Sequence, residues 1–161
     1  MSDSSLDFDF CENCVYGKQN RASFPSGAKR AKQILELVHS DVFGPVKVLS
    51  LGKSVYYVSF IDDFSRNTWI YFLKNKNEVF DRFKEFKALV ENQIEKKIKV
   101  LRKDNGGEFC NKEFEKFYKK CGIAGQKTTP YTPKKNGFAE RMNKTLMERA
   151  ISMLSGVGLG K

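Results

Sequence analysis

Carboxylates are the side chains of this sequence best placed to do chemistry. Asp41 follows a short apolar run, Asp104 follows another, and Glu140 opens the last amphipathic segment, so all three fall at the ends of predicted elements, where sites gather in open α/β sheets. Three carboxylates drawn together repel one another unless a cation or a raised pKa relieves them, and hard cations such as Mg²⁺ or Mn²⁺ take oxygen ligands. Two such ions about 3.5 to 4 Å apart stabilise the attacking and leaving oxygens of an in-line phosphoryl displacement. Spacing alone does not single these acids out: 35 residues separate Asp104 from Glu140, and 19 acidic residues in 161 make such a pair unremarkable by chance.

Other candidates compete with them. Asp62 and Asp63 stand between two strand-like runs, where aspartate commonly bonds to turn backbone, and Glu108 follows two glycines, where it could orient a metal ligand without acting itself. Cys11 and Cys14 form a CxxC, a partial zinc site in a geometry that needs about four ligands. The single histidine, His39, lies 25 residues beyond Cys14, and Cys110 and Cys121 are farther still, so an intact zinc centre is not expected.

The elements that must position these groups follow from periodicity. Residues 34–38 are a short apolar run and a first strand; 54–61 and 68–73 are β-branched and aromatic, and the DDFSRN between them makes a hairpin. Val79, Phe80, Phe83, Phe86, Leu89 and Val90 recur at three- and four-residue intervals, which predicts an amphipathic helix over 78–93. Residues 98–101 form a brief strand before the Gly106-Gly107 turn. Phe114, Phe117 and Tyr118 share one face of a helix over 112–121, with Gly122 as its C-cap, and a strand over 123–127 follows. Two prolines and a glycine make 128–137 a loop. From Phe138 the spacing of Met142, Leu146, Ala150 and Met153 is helical, and Phe138, the methionines and Trp69 are expected in the core. The order β-β-β-α-β-α-β-loop-α predicts a mixed sheet with helices on its faces.

Length and charge bound the rest. The chain is about one domain's worth, and no stretch approaches the roughly 20 consecutive apolar residues that would span a bilayer, so no membrane partner is expected. The first ten residues hold three Asp and no basic region, unlike a secretory signal. Net charge is +10, which becomes +13 once that acidic leader is set aside, and residues 95–149 carry 15 basic against 7 acidic side chains. A basic surface interleaved with aromatics suits a phosphate backbone. Residues 15–33 are polar and turn-rich, so 1–33 reads as an acidic leader, the CxxC and a basic linker, and 34–161 as the compact domain.

The words around the acids carry the function. They are His39-Ser40-Asp41; Asp62-Asp63-Phe64-Ser65-Arg66; Arg102-Lys103-Asp104-Asn105-Gly106-Gly107-Glu108-Phe109; Pro130-Tyr131-Thr132-Pro133; and Asn136-Gly137-Phe138-Ala139-Glu140-Arg141-Met142-Asn143-Lys144. In this order they resemble the integrase catalytic core of copia-type LTR retrotransposons, over roughly residues 11–161. The resemblance implies an RNase H-like fold with a five-stranded mixed sheet flanked by helices. It implies that Asp41, Asp104 and Glu140 are catalytic and hold two Mg²⁺ or Mn²⁺ ions for DNA 3′-end processing and strand transfer. The implied partners are element-end and target DNA and further copies of the chain, with action in the nucleus after a cytoplasmic particle stage. Tyr131, Lys134, Lys135, Asn136, Arg141 and Lys144 match positions suited to DNA contact, Lys144 one helical turn beyond Glu140. A catalytically silent DNA-binding or assembly module is the alternative.

Departures from the family pattern refine these expectations. Only Cys11 and Cys14 stand where the family's zinc module pairs two histidines with two cysteines. Lys103 replaces a small polar residue and Lys134-Lys135 a glutamine-bearing stretch, changes expected to add charge beside the site. The family's C-terminal DNA-binding portion and polymerase have no counterpart, as expected of an excerpt from a longer polyprotein.

Overall fold

The computed structural model describes residues 30–46, 50, 52–103, 109, 112–127 and 133–156, the side chains of 133–136 excepted. Of these, 30–143 lie in one compact unit and 144–156 in another. The described strands are β1 (Leu37–Phe43), β2 (Tyr56–Asp62), β3 (Thr68–Leu73), β4 (Val100–Lys103) and β5 (Ala124–Lys127). The helices are α1 (Val79–Ile94), α2 (Lys112–Cys121) and α3 (Pro133–Gly156). The strands form one sheet in the order β3-β2-β1-β4-β5. β1 runs antiparallel to β2, and β2 to β3, whereas β4 pairs parallel with both β1 and β5. This is the expected mixed sheet with helices against it.

Alternation along the strands decides what each face carries. Val38 of β1 and Val58 and Phe60 of β2 point into the main core, where Phe60 stacks on Phe86 of α1 with ring centres 4.5 Å apart. Phe83 of α1 lies 5.8 Å from Phe114 of α2, so both helices cover this one face. Trp69 packs against the same cluster, 5.2 Å from Phe86, as expected. The end of α2 is closed by Gly122 at φ +69, with Gly122 N–H donating to the Lys119 carbonyl and Ile123 N–H to the Tyr118 carbonyl. That pair of bonds is a Schellman cap and confirms the C-cap glycine.

Several boundaries differ from the sequence expectation. The first strand begins at Leu37, not Ile34, and runs on to Phe43. Leu35, at φ +61, cannot continue a strand, and its amide instead donates to Asp62 Oδ1 at 2.8 Å. Asp41 therefore stands inside β1, opposite Ser59, rather than just beyond the strand; apolarity stops at Val38, and His39 and Asp41 beyond it are buried through hydrogen bonds to Asp63 and Asn143. Strands expected at 54–61 and 98–101 shift to Tyr56–Asp62 and Val100–Lys103.

Of the loop expected over 128–137, residues 133–137 belong instead to α3, which begins at Pro133, and 128–132 lie outside the described residues. Proline suits the first helical position, where its missing N–H costs nothing. A Cβ at Gly137, inside the helix, would lie 3.3 Å from the end of the flexible Arg141 side chain. Glu140 is consequently the eighth residue of α3, not in its first turn. Met153 is 68% exposed, with Ile151 and Leu154 also exposed, so the core expectation for that methionine fails; three- and four-residue spacing marks a face but not what covers it. Met142 is half-buried. No helix among the described residues is long and apolar enough to cross a membrane.

Candidate active site

On the sheet face opposite α1, β1 presents His39 and Asp41, two residues apart and so on the same side. Asp41 is nearly buried, and its Oδ2 accepts a 2.7 Å hydrogen bond from Asn143 Nδ2, joining residues 102 apart in the chain. A carboxylate only accepts, so this contact fixes the Asn143 amide with its nitrogen toward Asp41. The amide oxygen is buried with no hydrogen-bond partner among the described residues. Ser59 Oγ donates to the Asp41 carbonyl at 3.4 Å. Burial first, and the Asp41 charge second, push the Tyr57 phenol up to about 12, so it stays a neutral hydroxyl.

Glu140 is exposed on α3, three residues before Asn143. Residues three apart on a helix are surface neighbours, with Cβ atoms about 5–6 Å apart. The bond that pins Asn143 to Asp41 thus also brings the Glu140 turn to β1. The third carboxylate of the sequence reading, Asp104, lies outside the described residues, as do Glu108, Tyr131, Cys11 and Cys14. Lys134, Lys135 and Asn136 fall on the first turn of α3, and their side chains lie outside the described ones. Arg141 is half-buried. Lys144, in the second unit, is exposed and 4.0 Å from Glu148, one turn on. Among the described residues no three His, Cys, Asp or Glu side chains form a group able to hold a metal ion. Asp41 and Glu140, two of the three ligands expected from the sequence, carry oxygen donors of the kind a hard cation takes.

Lys103 corrects one expectation. The strand sends Lys103 to the side opposite Arg102, where its ammonium donates to the Phe109 carbonyl and lies 4.9 Å from the Tyr118 ring centre. The charge is buried against α2, on the side of the sheet opposite Asp41.

The aspartate pair after β2 performs the backbone work expected of it. Asp62 Oδ2 accepts from both the amide and hydroxyl of Ser65 at 2.7 Å, and Asp63 Oδ2 accepts from the Ala31 amide at 2.7 Å. Asp63 Oδ1 lies 3.1 Å from His39 Nε2 and 3.5 Å from an Arg66 guanidinium nitrogen. Burial opposes the Asp63 charge, but the Ala31 amide, His39 and Arg66 together hold its carboxyl below the ordinary range. For His39 burial prevails over Asp63 and, with Arg102, lowers the imidazole from 6.5 to about 4. His39 is therefore neutral near pH 7. Its ring lies 4.8 Å from that of Phe138 on α3, and the Arg66 guanidinium sits 4.1 Å over the same Phe138 ring. Sequence reasoning assigned no role to Asn143, His39 or Arg66. Asn143 could have been found from its place three residues after Glu140; nothing local marks the others.

Comparison with known proteins bears on the family and the fold. The family described as integrase core domain matches residues 31–133. The Pol polyprotein of transposon TNT 1-94 from Nicotiana tabacum is 49% identical over 151 residues, covering 94% of this chain and 11% of that polyprotein. The Pol polyprotein of transposon RE2 from Arabidopsis thaliana is 36% identical over 151 residues, covering 94% of the chain and 10% of that polyprotein. The chain thus spans about a tenth of the length of these curated relatives. Among solved structures, a chain of the simian T-cell lymphotropic virus intasome in complex with PP2A regulatory subunit B56 gamma superposes with a TM-score of 0.62 at 20% identity. That match covers 82% of this chain and 47% of that one, a likeness of fold. With an RNase H-like mixed sheet and this match over most of the described unit, the chain belongs to the integrase core domain family, as the core of a copia-type retrotransposon integrase.

Proposed function

We propose that this chain carries a metal-dependent polynucleotidyl transferase centre that trims DNA 3′ ends and joins them to a target strand. The observation that carries the reading is the Asn143 to Asp41 hydrogen bond, which ties the helix bearing Glu140 to the strand bearing Asp41. Asp104 completes the set. In the sequence it follows Lys103, the last residue of β4, and β4 runs parallel beside β1 with Arg102 opposite His39.

Asp41, Asp104 and Glu140 would hold Mg²⁺ or Mn²⁺, which when bound supplies charge for the attacking and leaving oxygens of an in-line displacement. The chain's own residues orient the groups. Asn143 fixes one Asp41 oxygen, Oδ2. Tyr131, Asn136, Lys134, Lys135, Arg141 and Lys144 are proposed to contact the DNA backbone, the basic ones by neutralising phosphate. Element-end and target DNA are the proposed substrates, a multimer of the chain the working form, and the nucleus the place of action after a cytoplasmic particle. The match to an intasome chain supports this reading.

A strand-transfer or disintegration assay with Mn²⁺ tests it. Asp104→Asn should abolish joined products while retaining DNA affinity. Unchanged products would refute the assignment, DNA binding without any product in the parent chain would favour the silent assembly module, and degradation without joining would mark a general nuclease.

A further inference from the structure

Four side chains close a circuit between the β2–β3 turn, β1 and α3. Asp63 meets His39 at 3.1 Å, His39 meets the Phe138 ring at 4.8 Å, Phe138 lies 4.1 Å beneath the Arg66 guanidinium, and Arg66 returns to Asp63 at 3.5 Å. His39 is nearly buried, and because a carboxylate only accepts, Nε2 carries the hydrogen in its contact with Asp63. Phe138 is the member that belongs to α3, two residues before Glu140.

Resting on the functional reading above, we propose that Arg66 is a positioning residue for Glu140, holding through Phe138 the turn of α3 on which that carboxylate stands. Two points fix this helix against β1: Phe138 in the circuit and Asn143 on Asp41. They are five residues apart, about 7.5 Å along a helix axis, and Glu140 lies between them. One anchor leaves a helix free to roll, whereas two set both its rotation and its level. Glu140 is exposed, so among the described residues it is the helix beneath it that sets the aim of its carboxylate.

The backbone of Arg66 supports the assignment. It adopts φ +66, a left-handed conformation that favours glycine and disfavours a long side chain. The turn enforces this conformation: Arg66 N–H donates to the Asp62 carbonyl at 3.0 Å, and Thr68 Oγ1 donates to the Arg66 carbonyl at 3.2 Å. A residue held against its backbone preference is retained for its side chain, and that side chain is spent on Phe138 and Asp63. The planar guanidinium can stack on a ring while its edge meets a carboxylate, which an ammonium cannot do together.

The same strain supplies a mild test variant, since Arg66→Gly relaxes the backbone while removing the guanidinium. Mn²⁺ binding to the free chain, followed by electron paramagnetic resonance, is measured beside strand-transfer kcat, DNA KM and the thermal midpoint. Arg66→Gly should weaken Mn²⁺ binding and lower kcat by about 10- to 100-fold, the range expected when an outer support of a metal ligand is lost. DNA KM should stay within about twofold and the midpoint near that of the parent, a split that loss of fold would not give. Phe138→Leu should match it, the double variant should be no worse than either single, and Arg66→Lys should recover only part. Parent-like Mn²⁺ affinity and kcat in Arg66→Gly, or single effects that multiply in the double variant, would overturn the proposal. Glu140→Gln in the same titration separates the two levels: if it keeps Mn²⁺ affinity and turnover, the functional reading fails, and if it loses both beside a parent-like Arg66→Gly, the positioning role alone fails.

Discussion

One face of the sheet is held by phenylalanine and the other by polar groups that satisfy one another. Against α1 and α2, Phe60, Phe83, Phe86 and Phe114 are fully buried and their rings meet in stacked and tilted pairs. Against α3, the contacts of β1 are His39 with Phe138 and Asp41 with Asn143, backed by Asp63 and Arg66. The aromatic face draws stability from area removed from water, which is non-directional and tolerant of small shifts. The polar face gains less net free energy per contact but fixes direction, and breaking one contact strands a buried partner. A centre that must hold carboxylates at set angles belongs on the second kind of face.

The largest stability effect should therefore come from the aromatic side. Phe60→Ala is expected to cost about 3–5 kcal/mol, read as a fall in the urea midpoint, with activity lost only as the folded fraction falls. If it spared stability but removed activity, the division between the faces would be wrong.

Acid should strike the polar face. The folded His39 imidazole titrates at about 4 against 6.5 when unfolded, so the unfolded chain binds the extra proton first. Stability is fully present above pH 6.5 and declines as pH falls toward 4, by roughly 3 kcal/mol at the lower end. Denaturation midpoints across that window should show the slope, and His39→Gln should flatten it. The lowered Asp63 carboxyl acts in the same direction but only at more acid pH, below its unfolded value of 3.8.

Asn143→Ala should be smaller in stability, about 1.5–3 kcal/mol for a hydrogen bond to a charged group, yet reduce strand transfer by about 10- to 100-fold. Comparing kcat with the unfolding free energy in one preparation distinguishes the two. A loss of activity no greater than the loss of folded protein would reduce Asn143 to a packing residue.

Lys144→Ala should be smallest. Lys144 is exposed and its contact with Glu148 is 4.0 Å, so stability should change by less than about 0.5 kcal/mol. DNA affinity should fall at low salt, with the salt slope reduced by about one. A slope that did not change would remove Lys144 from the DNA interface.

The same contrast explains what sequence reasoning could reach. β3 is legible to the residue because its residues are β-branched and aromatic, and α2 because its apolar positions repeat at three and four. The full length of β1 is not legible because His39 and Asp41 are buried through partners 24 and 102 residues away, which no local period records. The start of α3 was hidden by Pro133, a residue that signals a loop and equally opens a helix. Asp41 and Glu140 emerged from family words rather than from spacing. The supports Asn143, Arg66 and Phe138 were present in those words, but their roles depend on a helix and a turn meeting across β1.

Anomalous scattering from a crystal of this chain soaked in Mn²⁺ tests the account most directly. It should give a manganese peak about 2.0–2.3 Å from carboxylate oxygens of Asp41, Asp104 and Glu140, with Asn143 still bonded to Asp41. Manganese bound elsewhere, or an Asp104 side chain directed to the face that α1 covers, would contradict it.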